Sequence, residues 1–278
     1  MIVVTGAAGR LGRRVGRDLL DREIEVLATD QVAADDLSTE FLLGDLLDTK
    51  MVERLLKGAE GIIHMGAIPG PLRADGRVIF DNNVQSTFNV MMSAAEMGLR
   101  RVVFSSSAFG MGWAHDGAAF VPLSLPLDEE HPMMPFEPYG LSKQIGEDIG
   151  KMIARNSTTT VVSLRFTNVV SPEGQEEFPW PAPTPQDPLT LVMWAYADPR
   201  DVAQAHVRAL DADIEGHEAF MIAQPSSRFK EPTLDLIRDN FGNSVEIRGQ
   251  LQGTASVIST EKAQRMLGWR PRYDWTAS

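Results

Sequence analysis

The sequence predicts an α/β fold built on a doubly wound parallel sheet. Short β-branched runs alternate along the chain with longer stretches of helical periodicity, and a glycine-rich turn follows the first run. Each strand of a parallel sheet must cross over before it pairs with the next, and helices usually make those crossovers. We therefore expect helices on both faces of the sheet.

The predicted strands are the short apolar runs at Met1–Thr5, Ile24–Asp30, Phe41–Asp45, Gly61–Met65, Arg101–Ser105, Thr159–Phe166 and Ala219–Ala223. Helical periodicity predicts helices at Asp48–Lys57, Asn82–Met97, Asp201–Asp211 and Ser259–Leu267. In the second of these helices, Phe88 and Met91 are expected to face inward.

At roughly 150 residues per domain, 278 residues allow one large domain with a modest appendage. We expect residues 1–170 to form a nucleotide-binding domain, to which the chain returns at 189–224. Residues 171–278 are expected to form a small substrate-binding part. Between them, the proline-rich segment Ser171–Pro188 predicts an irregular functional loop.

The composition excludes several classes of function. Twenty-six Lys and Arg against 38 Asp and Glu give a net charge of −12, so we expect no nucleic-acid and no membrane partner. The chain has no Cys, and its five histidines lack metal-site spacing, so we expect no metal. Met1 leads directly into a strand without the features of a signal peptide, which predicts a cytoplasmic protein. Whether the chain forms a homodimer is left open.

A phosphate-binding turn is predicted between the first strand and its helix, at Thr5-Gly6-Ala7-Ala8-Gly9-Arg10-Leu11-Gly12. Gly6 permits a tight turn, Gly9 lets the backbone approach a pyrophosphate, and Gly12 allows close helix–strand packing. The helix N-terminus attracts the anion. The sheet is therefore expected to be Rossmann-like, with Gly6, Gly9, Arg10, Leu11 and Gly12 binding a dinucleotide.

Asp30 ends the second predicted strand, where a carboxylate accepts hydrogen bonds from the adenosine ribose and repels a 2′-phosphate. NAD is therefore expected in preference to NADP, although Arg10, Arg13 and Arg14 lie near enough to accommodate that phosphate. Asp45 ends the third strand and is a candidate contact for adenine. Asp48, which begins the next helix, is the competing candidate as a structural N-cap.

The catalytic candidates are Tyr139 and Lys143, which the i, i+4 spacing puts on one face of a helix. A phenol is a poor base at neutral pH, but a nearby ammonium and a nicotinamide cation favour its phenolate. A serine run at Ser105–Ser107 follows the fifth strand, at the sheet edge where ligands gather. A hydroxyl at Ser107 is suited to bind the substrate oxygen.

In their order, these residues resemble the extended short-chain dehydrogenase/reductase family, in its NAD-dependent epimerase/dehydratase group. Further matching motifs extend the resemblance over nearly the whole chain; they are His64-Met65-Gly66-Ala67, Asn83, Leu164–Val169, Asp198–Leu210 and Thr260–Pro271.

The resemblance implies that Tyr139 is the catalytic base, that Lys143 binds the nicotinamide ribose and lowers the pKa of Tyr139, and that Ser107 orients the substrate. Ser106 remains an alternative to Ser107. It also implies cofactor contacts at Ala67 and at Asn83, for which the adjacent Asn82 remains an alternative.

The substrate side departs from the family in two ways. Met111 stands where many members have a tyrosine, and the chain is shorter than typical nucleotide-sugar epimerases. The first difference removes a substrate-side hydroxyl that many relatives have. The shorter chain favours a small substrate such as a sugar, sugar acid or polyol. The residues expected to contact it besides Ser107 are Asn168, Arg165 and Trp180. Arg200 and Arg248 are, with Arg165, the candidates for pairing with an anionic group on the substrate.

The sequence therefore predicts an NAD-dependent oxidoreductase that acts on a secondary hydroxyl of a carbohydrate-like molecule. The enzymatic alternative is a sugar or nucleotide-sugar epimerase/dehydratase, in which the hydride returns to the substrate. The non-enzymatic alternative is a dinucleotide-sensing regulator. Such a regulator is expected to have lost Tyr139 or Lys143, and both are present.

Overall fold

The computed structural model contains a seven-stranded sheet in which every pairing is parallel, and it describes residues 1–112, 121–170, 179 and 191–277. The strands of this sheet are β1 (Ile2–Thr5), β2 (Val26–Asp30), β3 (Glu40–Leu43), β4 (Gly61–His64), β5 (Arg101–Ser107), β7 (Thr160–Phe166) and β8 (His217–Ile222). Their order is β3-β2-β1-β4-β5-β7-β8. Two further strands, β6 (Ser124–Leu125) and β9 (Glu246–Ile247), form a separate parallel pair.

Helices cover both faces of the large sheet. They are α1 (Arg10–Leu20), α2 (Thr49–Leu56), α3 (Gly76–Glu96), α4 (Pro138–Asn156), α5 (Leu191–Trp194), α6 (Pro199–Asp211), α7 (Thr233–Phe241) and α8 (Glu261–Met266). Successive strand residues alternate between the two faces, so Val4 and Val103 pack with α1 and α6. Val3 and Val102 pack with α2, α3 and α4 on the other face. The predicted doubly wound architecture is confirmed.

The C-terminal segment is attached to the N-terminus of α6. Trp269 is wholly buried and donates from Nε1 to the carbonyl oxygen of Asp201 at 2.9 Å. The Asp201 carboxylate accepts the backbone N–H groups of Arg272 and Tyr273 at 2.9 and 3.0 Å. Asp201 therefore holds the chain after α8 against α6 through both its backbone and its carboxylate.

Two details of the elements differ from expectation. Helix α3 begins at Gly76 rather than at Asn82, because Asp75 caps it by accepting the backbone N–H of Arg77. Phe88 is expected to face inward, but it is 43% exposed. The buried face of α3 instead includes small and polar side chains such as Ser86 and Thr87. Among the described residues, no helix is long and apolar enough to cross a membrane.

Candidate active site

A cavity of about 900 Å³ lies at the carboxyl ends of the central strands. It brings together most of the residues that the sequence singled out, namely Gly6, Gly9, Arg10, Leu11, Gly12, Asp30, Ala67, Ser107, Tyr139, Lys143 and Asn168. Ligands of open α/β sheets bind at this edge. The cavity is therefore the candidate active site.

The turn between β1 and α1 leaves no room for a side chain at Gly6 or Gly12. A Cβ on Gly12 would come within 2.1 Å of the Gly6 carbonyl oxygen, and Gly6 itself has a φ of +68°. Gly9 is the N-cap of α1, and no described side chain caps this helix. The backbone N–H groups in the first turn of α1 are therefore available to bind a pyrophosphate, so this turn fits a dinucleotide.

Asp30 holds its carboxylate at the rim of the cavity, where it is partly exposed. One oxygen accepts the backbone N–H of Ala8 at 3.0 Å and the other that of Gln31 at 2.7 Å. Each carboxylate oxygen has a second lone pair, so both remain able to accept a ribose hydroxyl. The geometry thus fits the ribose contact expected of Asp30.

Two of the arginines that complicated the cofactor choice are paired elsewhere. Arg13 pairs with Asp36, and Arg14 pairs with Asp18 at 3.1 Å. Neither of these arginines lines the cavity. The Asp30 carboxylate therefore meets the cavity without a competing guanidinium from either residue.

The turn after β4 is held by a buried hydrogen-bond chain. Thr5 Oγ1 accepts the backbone N–H groups of Met65 and Gly66 at 3.1 and 2.9 Å, so its own proton is donated to His64 Nδ1 at 2.9 Å. The proton of the neutral ring is then on Nε2, which lies 3.2 Å from Thr87 Oγ1. The chain fixes a turn that lines the cavity beside Gly6.

Asn83 is buried and does not line the cavity, whereas the adjacent Asn82 does. The Asn83 side chain accepts the backbone N–H of Ile68 at 2.8 Å and donates to the carbonyl oxygen of Ile68 at 3.1 Å. It also lies 3.4 Å from Ser142 Oγ on α4. Asn83 thus clamps the loop after Ala67 to two helices, and its direct contact with the cofactor remains a prediction.

Tyr139 and Lys143 lie in the first turns of α4, whose N-terminus is capped by the Glu137 carboxylate. Lys143 donates from Nζ to the carbonyl oxygen of Ser105 at 2.8 Å, and this nitrogen lies 5.5 Å from the centre of the Tyr139 ring. Phe109 packs edge-on against the same ring at 5.7 Å. Both polar side chains are buried and line the cavity.

Burial raises the pKa of Tyr139 to about 12, although a hydrogen bond with Ser107 opposes the rise. Burial also lowers the pKa of Lys143 to about 8. At neutral pH the phenol is therefore protonated and the ammonium is charged. Positive charge beside the ring favours the phenolate, and Lys143 supplies such a charge.

The three hydroxyls of the serine run point to three different partners. Ser105 Oγ contacts His206, and Ser106 Oγ donates to Glu147 at 2.6 Å. Ser107 lines the cavity and is hydrogen-bonded to Tyr139. Of the two alternatives left open by the sequence, the geometry favours Ser107 over Ser106 as the hydroxyl that meets a substrate.

The expected substrate contact by Arg165 is not supported, because its guanidinium is buried in an ion pair with Glu147 rather than at the cavity. Arg200 pairs with Asp198, and the exposed Arg248 pairs with Glu246. None of these three arginines lines the cavity. Trp180 lies outside the described residues.

Asn168 lines the cavity, as expected, and its carbonyl oxygen accepts the backbone N–H of Ala197 at 3.0 Å. Arg10 donates to the next carbonyl oxygen, that of Val169, at 2.8 Å. Asp45 is exposed, and its carboxylate accepts the N–H of Leu47 at 2.9 Å. Its contact with adenine stays a prediction.

The sequence analysis missed the loop Ile68–Arg73, all of which lines the cavity and which ends in the exposed guanidinium of Arg73. The signal that points to it is Pro69-Gly70-Pro71, a turn cluster that directly follows a strand of the parallel sheet. Gly76, close after this loop, packs against Pro138, the neighbour of Tyr139. Among the described residues, no cluster of metal-ligating side chains is present.

Comparison with known proteins identifies the family of this chain. The family model described as NAD dependent epimerase/dehydratase family matches residues 2–181. A UDP-glucose 4-epimerase from Streptococcus mutans is 26% identical, with 98% of this chain and 92% of that protein aligned. A putative UDP-glucose 4-epimerase from Methanocaldococcus jannaschii is 30% identical, but the alignment covers 61% of this chain and only 56% of the relative.

Solved structures share the fold. A short-chain dehydrogenase/reductase superfamily protein from Agrobacterium tumefaciens, solved with bound NAD, superposes with a TM-score of 0.72 at 22% identity. The superposition covers 99% of this chain and 93% of that one. This likeness establishes the fold.

Proposed function

Because this chain belongs to the NAD-dependent epimerase/dehydratase family of extended short-chain dehydrogenases/reductases, we propose that it oxidises a secondary hydroxyl of a carbohydrate-like substrate. NAD is its cofactor. The substrate we propose is a sugar, sugar acid or related polyol. One observation carries the proposal: Ser107, Tyr139 and Lys143 line the same cavity as the glycine turn and Asp30.

In the proposed reaction, Ser107 hydrogen-bonds the substrate hydroxyl. Tyr139 accepts the proton of that hydroxyl as a phenolate, the form that Lys143 and the positive charge of bound nicotinamide would favour. Lys143 assists because its ammonium, 5.5 Å from the ring centre, stabilises the phenolate. Bound NAD supplies the hydride acceptor. The proton that Tyr139 takes up is released to solvent through the cavity that Tyr139 lines, because the oxidation yields one proton for each NADH.

We further propose that residues 1–170, together with 189–224, bind the cofactor and that 171–278 contribute to the substrate side. Asn168 supports this division because it lines the cavity where β7 leads out of the sheet. Arg73, exposed at the same cavity, favours a substrate with a carboxylate or phosphate, since its planar guanidinium matches either group.

The proposal is tested by incubating the purified protein with NAD and matched pairs of substrates, such as glucose and glucuronate, and with nucleotide sugars. A dehydrogenase accumulates NADH, which is followed by its absorbance. We expect NADH with a free sugar or sugar acid, and a preference for the acid that is lost in Arg73→Gln. A marked preference for a nucleotide sugar would contradict the small-substrate proposal.

The second candidate is epimerisation, which the similarity to UDP-glucose 4-epimerases favours. An epimerase returns the hydride to the opposite face of the substrate, so sugar stereochemistry changes without net NADH. Chromatography of the products separates the two reactions. A protein that binds NAD but neither oxidises nor epimerises any member of the panel would instead support the dinucleotide-sensing regulator.

A further inference from the structure

His206 lies on α6, outside the cavity, and is wholly buried. Its Nδ1 is 2.8 Å from the carbonyl oxygen of Val202, and its Nε2 is 2.8 Å from Ser105 Oγ. Burial lowers the pKa of His206 to about 4, so the ring is neutral. A carbonyl oxygen only accepts, which puts the ring proton on Nδ1. Nε2 is therefore an acceptor, and the Ser105 hydroxyl donates to it.

Ser105 lies where the sheet begins to lose pairing. The ladder between β4 and β5 ends at His64 and Phe104, so Ser105 is one residue beyond it. At Ser105 the sheet pairing continues only with β7, where Ser105 lies opposite Leu164. The bond to His206 restrains Ser105 at this point, where its backbone oxygen accepts Lys143 Nζ at 2.8 Å.

We propose that His206 is a positioning residue of this active site. By accepting the Ser105 hydroxyl, it holds the Ser105 carbonyl oxygen in the orientation that fixes the Lys143 ammonium beside Tyr139. The relevance to catalysis rests on the proposed function, whereas the chain of contacts does not. The sequence alone gave His206 no role beyond packing in a helix.

Other groups around Lys143 do not replace this restraint. Its ammonium lies over the rings of Phe104 and Tyr139, at 5.1 and 5.5 Å from their centres. His64 on β4 is also buried, and burial together with the charge of Lys143 lowers its pKa to about 3. Glu147, one turn further along α4, is paired with Arg165. Ser105 thus supplies the hydrogen-bond acceptor for this ammonium among the described contacts.

Two substitutions at position 206 separate the two hydrogen bonds of the ring. In His206→Asn, the amide nitrogen takes the place of Nδ1 and can donate to Val202, but nothing reaches Ser105. In His206→Gln, the amide oxygen takes the place of Nε2 and can accept from Ser105. We expect the Asn variant to lose the positioning of Lys143 and the Gln variant to keep most of it.

The direct readout is the titration of Lys143, followed by NMR of protein labelled at lysine Cε. The chain has six lysines, so the Lys143 signal is assigned by its loss in Lys143→Met. In His206→Asn we expect the pKa of Lys143 to fall, because its buried ammonium loses a fixed acceptor. NAD affinity, measured by calorimetry, should weaken several-fold, and kcat should fall roughly tenfold to a hundredfold.

Ser105→Ala approaches the same bond from the strand and should reproduce these effects, while the double variant with His206→Asn should be no worse than either single one. Ser163→Ala is the matched control, because it removes a similar buried contact, 3.0 Å from Ser163 Oγ to His217 Nε2. It should leave the Lys143 titration and NAD affinity unchanged. Thermal melting of every variant verifies folding.

An unchanged Lys143 titration in folded His206→Asn and Ser105→Ala would overturn the proposal. Equal shifts in His206→Asn and His206→Gln would also overturn it, since they would indicate a general packing defect. Failure of the whole substrate panel would contradict the proposed function instead. The titration and the NAD affinity would still decide the role of His206.

Discussion

Arg165 on β7 and Glu147 on α4 form a buried ion pair with two hydrogen bonds, 2.9 Å from Arg165 Nε and 2.7 Å from Nη2. Burial by itself would raise the pKa of Glu147, but Arg165 and the hydroxyl of Ser106 hold it below its ordinary value. The pair ties β5, α4 and β7 together directly behind the cavity.

Glu147→Gln should destabilise the fold by about 3–5 kcal/mol, because it removes the carboxylate charge that pairs directly with the buried Arg165 guanidinium. Urea unfolding measures the change. Glu246→Gln is the control, since Glu246 forms an exposed pair with Arg248 and its loss should change stability far less. Equal small losses in both variants would contradict the structural importance of the buried pair.

The strands and the cavity could be predicted from the sequence because their signals are local. Runs such as Ile2-Val3-Val4 specify a buried parallel strand, and Gly6 and Gly12 mark two positions of a turn where no other residue fits. The partner of a polar side chain at a strand end is not a local property. Arg165 therefore looked like a substrate ligand, although Glu147, which lies on another element, neutralises it.

The same limit applies to the serine run. Alternation along β5 indicates that neighbouring serines face different ways, but not which of them meets the cavity. That depends on Glu147 and His206, which come from helices distant in sequence. The start of α3 at Gly76 was missed because the preceding Asp75 stands in a loop with no apolar periodicity to mark it.

The choice between NAD and NADP is expected to depend on Asp30. Wild-type protein should bind NAD at least several-fold more tightly than NADP, and Asp30→Ala should narrow the gap because the carboxylate no longer repels a 2′-phosphate. Calorimetry with both cofactors measures this. Asp36→Ala is the comparison variant: it leaves Asp30 in place but releases Arg13 and Arg17 from their ion pairs, so it measures how far a freed arginine alone raises the affinity for NADP. Equal affinities in the wild type would refute the assignment.

Proton transfer is expected to require Tyr139 and its neighbouring charge. Tyr139→Phe should lower turnover by about a hundredfold or more while NAD still binds. In Lys143→Met the loss of positive charge disfavours the phenolate, so the pKa of Tyr139 should rise and the activity that remains should shift to higher pH. The measurement is kcat as a function of pH for both variants. Near-normal turnover of a folded Tyr139→Phe protein would remove Tyr139 from the mechanism.

The buried histidines make a specific prediction about acid stability. Burial lowers the pKa of His64 to about 3 and that of His206 to about 4, from 6.5. Between about pH 6.5 and 4 the unfolded chain therefore binds protons that the folded protein does not, so the free energy of unfolding falls as the pH falls. Each histidine should contribute a slope of about 1.4 kcal/mol per pH unit.

Other groups titrate in part of this range with the opposite effect, since burial raises the pKa of Glu129 and Glu137. The test is therefore the difference between wild type and His206→Gln in urea unfolding at pH 7.5, 6.0 and 5.0. Below about pH 6.5 the free energy of unfolding of the variant should fall less steeply as the pH falls. The slopes should differ by the amount that corresponds to about one bound proton. Above that pH the two curves should run parallel, because His206 is neutral there in both the folded and the unfolded wild-type chain. Parallel curves throughout would mean that His206 binds a proton as readily in the folded protein as in the unfolded chain, which would contradict the effect of burial on its pKa.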